Sequence, residues 1–156
     1  MAGREGCRSR LTEPGARAIV RAMPTANTAL AERIFGKPGA GFAPLDGPTL
    51  LESMTDDVRY TVIGSTAASG LIQGRDQILA RIVAPLVEAL DGGLDVAADA
   101  VFGEGDYVAV QARGRAQTKR GARYDNTYCF VLRFRDGRIA EVTEYLDTEL
   151  VRKVLG

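Results

Sequence analysis

Apolar and polar positions alternate most cleanly between Tyr124 and Thr148, YDNTYCFVLRFRDGRIAEVTEYLDT. The period of two predicts a long β-hairpin. Its first strand carries Tyr124, Asn126, Tyr128 and Phe130 on one face, and its second ends in the acidic residues Glu141, Glu144 and Asp147. A buried face that includes hydroxyl and amide tips needs partners for them, so this face reads as a pocket wall. Upstream, Asp56 to Gly64 alternates with Val58, Tyr60 and Val62 on one side and predicts another strand. Leu94 to Phe102, Tyr107 to Thr118 and Arg138 to Leu146 read as strands too, with turns at GEGD and KRGA.

The helical pattern lies elsewhere. Residues 25 to 35 give a short amphipathic helix with Leu30, Ile34 and Phe35 on one side, and 48 to 54 a second piece. Gly74 to Asp91 is the main helix, with an apolar stripe from Ile78 to Leu90; Pro85 removes a donor inside it and should kink it, and Gly92-Gly93 should end it. DTELVRKVL closes the chain as a helix capped by Asp147. Helices first and strands after indicate an α+β fold. Residues 1 to 22, with five arginines and little periodicity, read as a disordered leader before a single domain over 23 to 156, with Met23 as the functional start.

Composition narrows the function. The chain has 156 residues, 46% hydrophobic and 26% charged, with 20 basic residues against 20 acidic. That balance provides no field for nucleic acid or an anionic membrane and favours a small, uncharged ligand. No apolar run is long enough for a membrane span or a secretory signal, so a cytoplasmic location is expected. Two cysteines, Cys7 and Cys129, do not make a disulfide framework. The absence of histidine removes imidazole-based triads and His-ligated zinc, leaving carboxylates, tyrosines, lysines or water for acid–base work, with no cofactor or metal implied.

TDDVRYTVIG, GRDQILARIVAPL and the Tyr124–Thr148 block, in this order, resemble the SnoaL-like, ketosteroid-isomerase-related proteins of the nuclear transport factor 2-like superfamily over residues 25 to 153. The resemblance implies a cone-shaped, curved antiparallel sheet wrapped around the N-terminal helices, the cystatin-like α+β barrel, with a deep apolar pocket and a homodimer formed through the sheet. Relatives isomerise ketosteroids, close polyketide rings, open epoxides, or only bind. The isomerase acids have no counterpart: Thr61 or Val62 stands where the proton-shuttling Asp would be, and Phe130 where the oxyanion-binding acid would be. Steroid isomerisation by that route is therefore not expected. Glu144 of VTEYLD matches the Asp on the last strand of epoxide-hydrolase-like members, and Arg113 is the nearest candidate for their arginine.

Whether Glu144 faces the pocket depends on the FRDGR turn. A two-residue Asp136-Gly137 loop pairs Arg135 with Arg138 and turns Glu144 to the opposite face from Tyr128. A three-residue loop with a left-handed Gly137 in a bulge pairs Phe134 with Arg138 and sets Glu144 across from Tyr128. The second form is expected, since the resemblance places position 144 inside the cone. The expected site is then Glu144 as the catalytic carboxyl, with Tyr60, Gln111, Arg113, Tyr124, Asn126, Tyr128 and Phe130 around a small hydrophobic metabolite. Burial would raise the pKa of Glu144 and a nearby Arg113 would lower it. Two functions stay open: an isomerase, cyclase or epoxide-opening enzyme, and a non-catalytic ligand-binding or dimerisation module of the same fold.

Overall fold

The computed structural model describes residues 24–156, so the calls on residues 1 to 22, on Met23 as the start and on Cys7 lie outside the described residues. The chain order is α1 (Ala26–Phe35), β1 (Ala43–Pro44), α2 (Gly47–Glu52), β2 (Met54–Val62), β3 (Gly70–Gln73), α3 (Arg75–Ile78), a π-helical turn (Leu79–Val83), α4 (Ala84–Ala89), β4 (Leu90–Glu104), β5 (Tyr107–Thr118), β6 (Arg123–Arg135), β7 (Arg138–Leu146) and α5 (Thr148–Leu155). The strands make one unclosed sheet in the order β1-β4-β5-β6-β7-β2-β3.

The class is α+β, as the pattern predicts, with one departure: β2 lies parallel to β7, while the other neighbours are antiparallel. Parallel pairing needs a long crossover, and here α3, α4 and the β4–β6 meander separate the two strands. The short β3 was not expected. It pairs with β2 and forms the sheet edge.

Each helix follows from local chemistry. Thr25 and Thr28 cap α1 reciprocally, the Thr25 side chain accepting from the Thr28 amide at 3.1 Å and the Thr28 hydroxyl accepting from the Thr25 amide at 2.8 Å. Ala31, Ile34 and Phe35 then bury one face of α1 against β4 and β5. Pro85 distorts its helix as expected. The turn before it widens to a π turn in which the Ala84 amide reaches back to the Leu79 carbonyl. The Gly92-Gly93 pair, both at positive φ, belongs to an irregular start of β4 that begins at Leu90, earlier than the pattern indicates.

Two apolar clusters result. The larger includes Phe35, Met54, Val58, Tyr60, Tyr128, Phe130 and Leu132 inside the sheet. The smaller joins Leu90, Ala116, Tyr124 and Val151 beneath α5, and the half-buried Leu94 and Leu146 touch both.

Candidate functional site

The inner face of β6 is built as its alternation predicts. Tyr124, Asn126, Tyr128 and Phe130 are all buried, each 4% exposed or less. The facing column of β5 is small: Ala116 pairs with Tyr124, Gly114 with Asn126, Ala112 with Tyr128 and Val110 with Phe130. Gly114 is required there, because a Cβ would stand 2.6 Å from the Tyr128 ring. Phe130 stacks on Tyr128 at 5.3 Å between ring centroids and meets Phe35 at 4.7 Å, so it forms the floor of the group.

Glu144 does face this group, by a device other than the expected one. The turn is the two-residue form: Arg135 pairs with Arg138, and both Asp136 (φ 52°) and Gly137 (φ 73°) are left-handed. That register alone would turn Glu144 outward. Between the Phe134–Ile139 and Arg133–Glu141 pairs, however, Ala140 is an extra residue on β7, and the resulting bulge reverses the facing of everything after it. Glu144 therefore lies across from Phe130, two residues along β6 from the expected Tyr128, on the same inner face. The mark of the bulge is two consecutive buried residues, Ile139 and Ala140.

β2 brings the next component. Val62 pairs with Glu144 across the parallel ladder, and the Tyr60 hydroxyl donates to Glu144 Oε2 at 2.9 Å. Burial pushes the Glu144 carboxyl up to about 7, and the Tyr60 hydrogen bond only partly offsets this. Burial likewise holds the Tyr60 and Tyr128 phenols well above their ordinary value, with the neighbouring Glu144 charge acting in the same direction. Oε1 of Glu144 makes no hydrogen bond among the described residues.

The remaining polar tips divide into spent and unspent groups. Asn126 Oδ1 accepts from the amides of Asp147 (2.9 Å) and Thr127 (2.7 Å), while Nδ2 donates to the Asp147 carbonyl (3.3 Å) and to the Tyr124 hydroxyl (3.2 Å). All four of its hydrogen-bonding positions are used, so Asn126 holds the backbone at the start of α5. Tyr124 and Tyr128 share one bond at 3.4 Å. Whichever hydroxyl donates it, one phenolic proton of the pair has no acceptor among the described residues.

Gln111 and Arg113 do not join the group. β5 alternates strictly, with Val108, Val110, Ala112, Gly114 and Ala116 buried and Tyr107, Gln111, Arg113, Arg115 and Gln117 exposed. Arg113 therefore projects from the outer face, where its guanidinium grips Asp99 with Nε and Nη2 at 2.7–3.1 Å and lies over the Phe42 ring. Asp99 sits at a bulge of β4, between the Ala98–Ala112 and Ala100–Gln111 pairs. The expected lowering of the Glu144 pKa by Arg113 is absent for the same reason. The run of small and apolar residues at alternate positions, VxVxAxGxA, is the sequence signal that assigns the two faces.

Two open concavities are not lined by Glu144, although Tyr128 contributes to the larger. One of about 500 Å³ lies across β4–β7 and is lined by Asp99, Gln111, Thr127, Cys129 and Tyr145 among others; another of about 350 Å³ lies around Asp56 and Arg75. Neither includes Glu144, Tyr60 or Tyr124 in its lining. The only described thiol, Cys129, is free and half-buried. Among the described residues, no helix is long and apolar enough to cross a membrane.

The family model described as the SnoaL-like domain matches residues 40–142, and the chain belongs to this family. Solved structures of similar fold include a candidate SnoaL-like polyketide cyclase from Jannaschia sp. CCS1 (24% identity, 83% of this chain and 91% of that one, TM-score 0.65). Bal32a, from a soil-derived mobile gene cassette, is 23% identical over 84% of this chain and 97% of its own, with a TM-score of 0.67. TerC, co-crystallised with polyporic acid, is 18% identical over 84% and 98%, with a TM-score of 0.63. No curated protein matches the sequence.

Proposed function

We propose that the chain is a small-molecule enzyme in which Glu144 moves a proton on a hydrophobic, oxygen-bearing metabolite of polyketide- or terpenoid-like character. The observation that carries this reading is the carboxyl itself: inward-facing, without a cation among the described residues, and raised to about 7 by burial. A group poised there accepts and returns protons with similar ease at neutral pH, as isomerisation, ring closure or epoxide opening each requires. Tyr60 holds Oε2 and leaves Oε1 to the substrate. The unspent phenolic proton of the Tyr124–Tyr128 pair is the donor for a substrate oxygen on which negative charge develops, and Phe130 supplies an apolar surface. Asn126, fully occupied, positions the backbone and does not touch substrate. The co-crystallisation of TerC with polyporic acid supports a small organic ligand for a protein of this fold.

Glu144→Gln tests the assignment. Turnover of an identified substrate should fall by about 10²–10⁴, the usual contribution of a positioned acid–base group, with folding and ligand binding nearly intact. Activity that survives the change sinks the role.

A second reading, a non-catalytic binding module, is favoured by one observation: neither open concavity is lined by Glu144. Under that reading Glu144→Gln alters affinity alone. In either case the outer sheet face, with Phe102 and Tyr145 exposed beside half-buried Ala109, Val131 and Thr143, is the surface for a homodimer. Sedimentation at micromolar concentration tests this, and a monomer counts against it.

A further inference from the structure

The two oxygens of Glu144 are not equivalent. Oε2 accepts from the Tyr60 hydroxyl at 2.9 Å, while Oε1 has no partner among the described residues and is open to solvent. The tyrosine is fixed by its place in the sheet. It is 5% exposed and lies on β2, between β3 and β7, pairing with Ile72 on one side and Val142 on the other. Glu144, half-buried, follows two residues further along β7, opposite Val62.

A phenol has one proton, and Tyr60 has one place to give it. Its hydroxyl makes no second hydrogen bond among the described residues, and the next phenol, Tyr128, is bonded to the Tyr124 hydroxyl instead. If Glu144 took up a proton on Oε2, the Tyr60 hydrogen would have to turn away with no acceptor to receive it, and a buried donor would lose its bond. The acid proton therefore belongs on Oε1, the oxygen that meets solvent.

The surroundings leave that choice to Tyr60. The groups on which the Glu144 charge acts are phenols, Tyr60 on β2 and Tyr124 and Tyr128 on β6, and no cation stands beside it among the described residues. Asp147, at the start of α5, bears on Tyr124 and caps its own helix. The helices bring apolar side chains to the clusters around the site, Ile34 and Phe35 from α1, Ile78 from α3 and Val151 from α5.

We propose that Tyr60 is the positioning residue of the Glu144 site: by keeping Oε2 as a fixed acceptor it places the transferable proton on Oε1 and gives the carboxyl a single working oxygen. This rests on Glu144 being the functional group. Tyr60 acts through the carboxyl and not on substrate. Without its hydroxyl the two oxygens become interchangeable, and the charged form loses the one hydrogen bond that favours it.

The test needs no substrate. Carbon-detected NMR gives the Glu144 midpoint, and infrared spectroscopy of glutamate-labelled protein gives the carbonyl stretch of the protonated acid, both assigned by their loss in Glu144→Gln. In Tyr60→Phe, Glu144 should become a roughly 10–100-fold weaker acid, the worth of one hydrogen bond to a charged acceptor. The carbonyl stretch should move to higher frequency, because Oε2, the carbonyl oxygen of the acid, has lost its donor. A merely structural effect has the opposite sign, since loosened packing admits water and strengthens the acid. Val62→Ala, which loosens the packing beside Glu144 and spares the hydroxyl, is the control for this. Replacing tyrosine throughout by a monofluorinated analogue makes Tyr60 a stronger donor and should strengthen the acid, so a folding defect in Tyr60→Phe leaves the test intact.

A midpoint unchanged or lowered in folded Tyr60→Phe would overturn the proposal. So would an unmoved carbonyl stretch, an equal rise of the midpoint in Val62→Ala, or a midpoint indifferent to fluorination. Glu144→Gln separates the two readings. If it keeps full turnover of an identified substrate while Tyr60→Phe raises the midpoint, the catalytic role of Glu144 fails and the positioning by Tyr60 stands; if it abolishes turnover while Tyr60→Phe leaves the midpoint in place, the positioning fails and Glu144 stands.

Discussion

Asp99 and Glu144 are two carboxylates on the same sheet, and they end in opposite electrostatic states. Asp99 projects from the outer face, half exposed, and the Arg113 guanidinium holds its pKa below the ordinary value. Glu144 projects from the inner face with Tyr60 as its only side-chain partner among the described residues, and burial raises it to about 7. The difference shows why ion pairs are a poor guide to chemistry here. The outer face spends its charges on one another, Arg113 with Asp99, Arg115 with Asp95, Arg133 with Glu141, while the inner-face carboxyl of Glu144 has no cation beside it among the described residues.

The largest expected effect breaks the inner side of this comparison. The folded-state pKa of Glu144 lies above the unfolded value of about 4.5, so the native state gains from protonation; that stability is fully present below 4.5 and is lost as pH rises through about 7. Between pH 4 and pH 8 the stability of Glu144→Gln relative to wild type should therefore shift in the variant's favour by about 3 kcal/mol. Urea unfolding at the two pH values measures this, and parallel pH dependences would refute it. Next comes the space in front of β6. Gly114→Ala forces a methyl against the Tyr128 ring and should cost about 1–3 kcal/mol, read as a lower urea midpoint at unchanged slope. The smallest effect sharpens the outer side: Arg113→Ala should change stability by less than about 1 kcal/mol and leave the Glu144 titration where it is, because an exposed pair is screened by solvent.

The sequence made part of this legible for clear reasons. A period of two placed Tyr124, Asn126, Tyr128 and Phe130 together, and Val58, Tyr60 and Val62 with them, because alternation is a local property of extended chain. The Pro85 distortion and the Asp147 cap were legible from single residues. Glu144 was placed on the correct face through the wrong register: two shifts, a shorter turn and a bulge at Ala140, cancel in parity. A bulge depends on how two strands settle against a core, so no local pattern announced it. Gln111 and Arg113 lie outside, contrary to the expectation from their polarity, because the small residues that alternate with them on β5 mark the interior. The parallel β2–β7 pair and the clamp from Asn126 to Asp147 join residues far apart in the chain and had no local signal.

The Glu144 carboxyl, half-buried and without a cation beside it among the described residues, is expected to titrate near neutrality. Carbon-detected NMR of the side-chain carboxyls across pH 3 to 9, assigned by comparison with Glu144→Gln, measures it directly. One glutamate midpoint near 7, absent from the variant and unmoved in Arg113→Ala, is expected. A Glu144 midpoint in the ordinary carboxylate range, near 4.5, would contradict it.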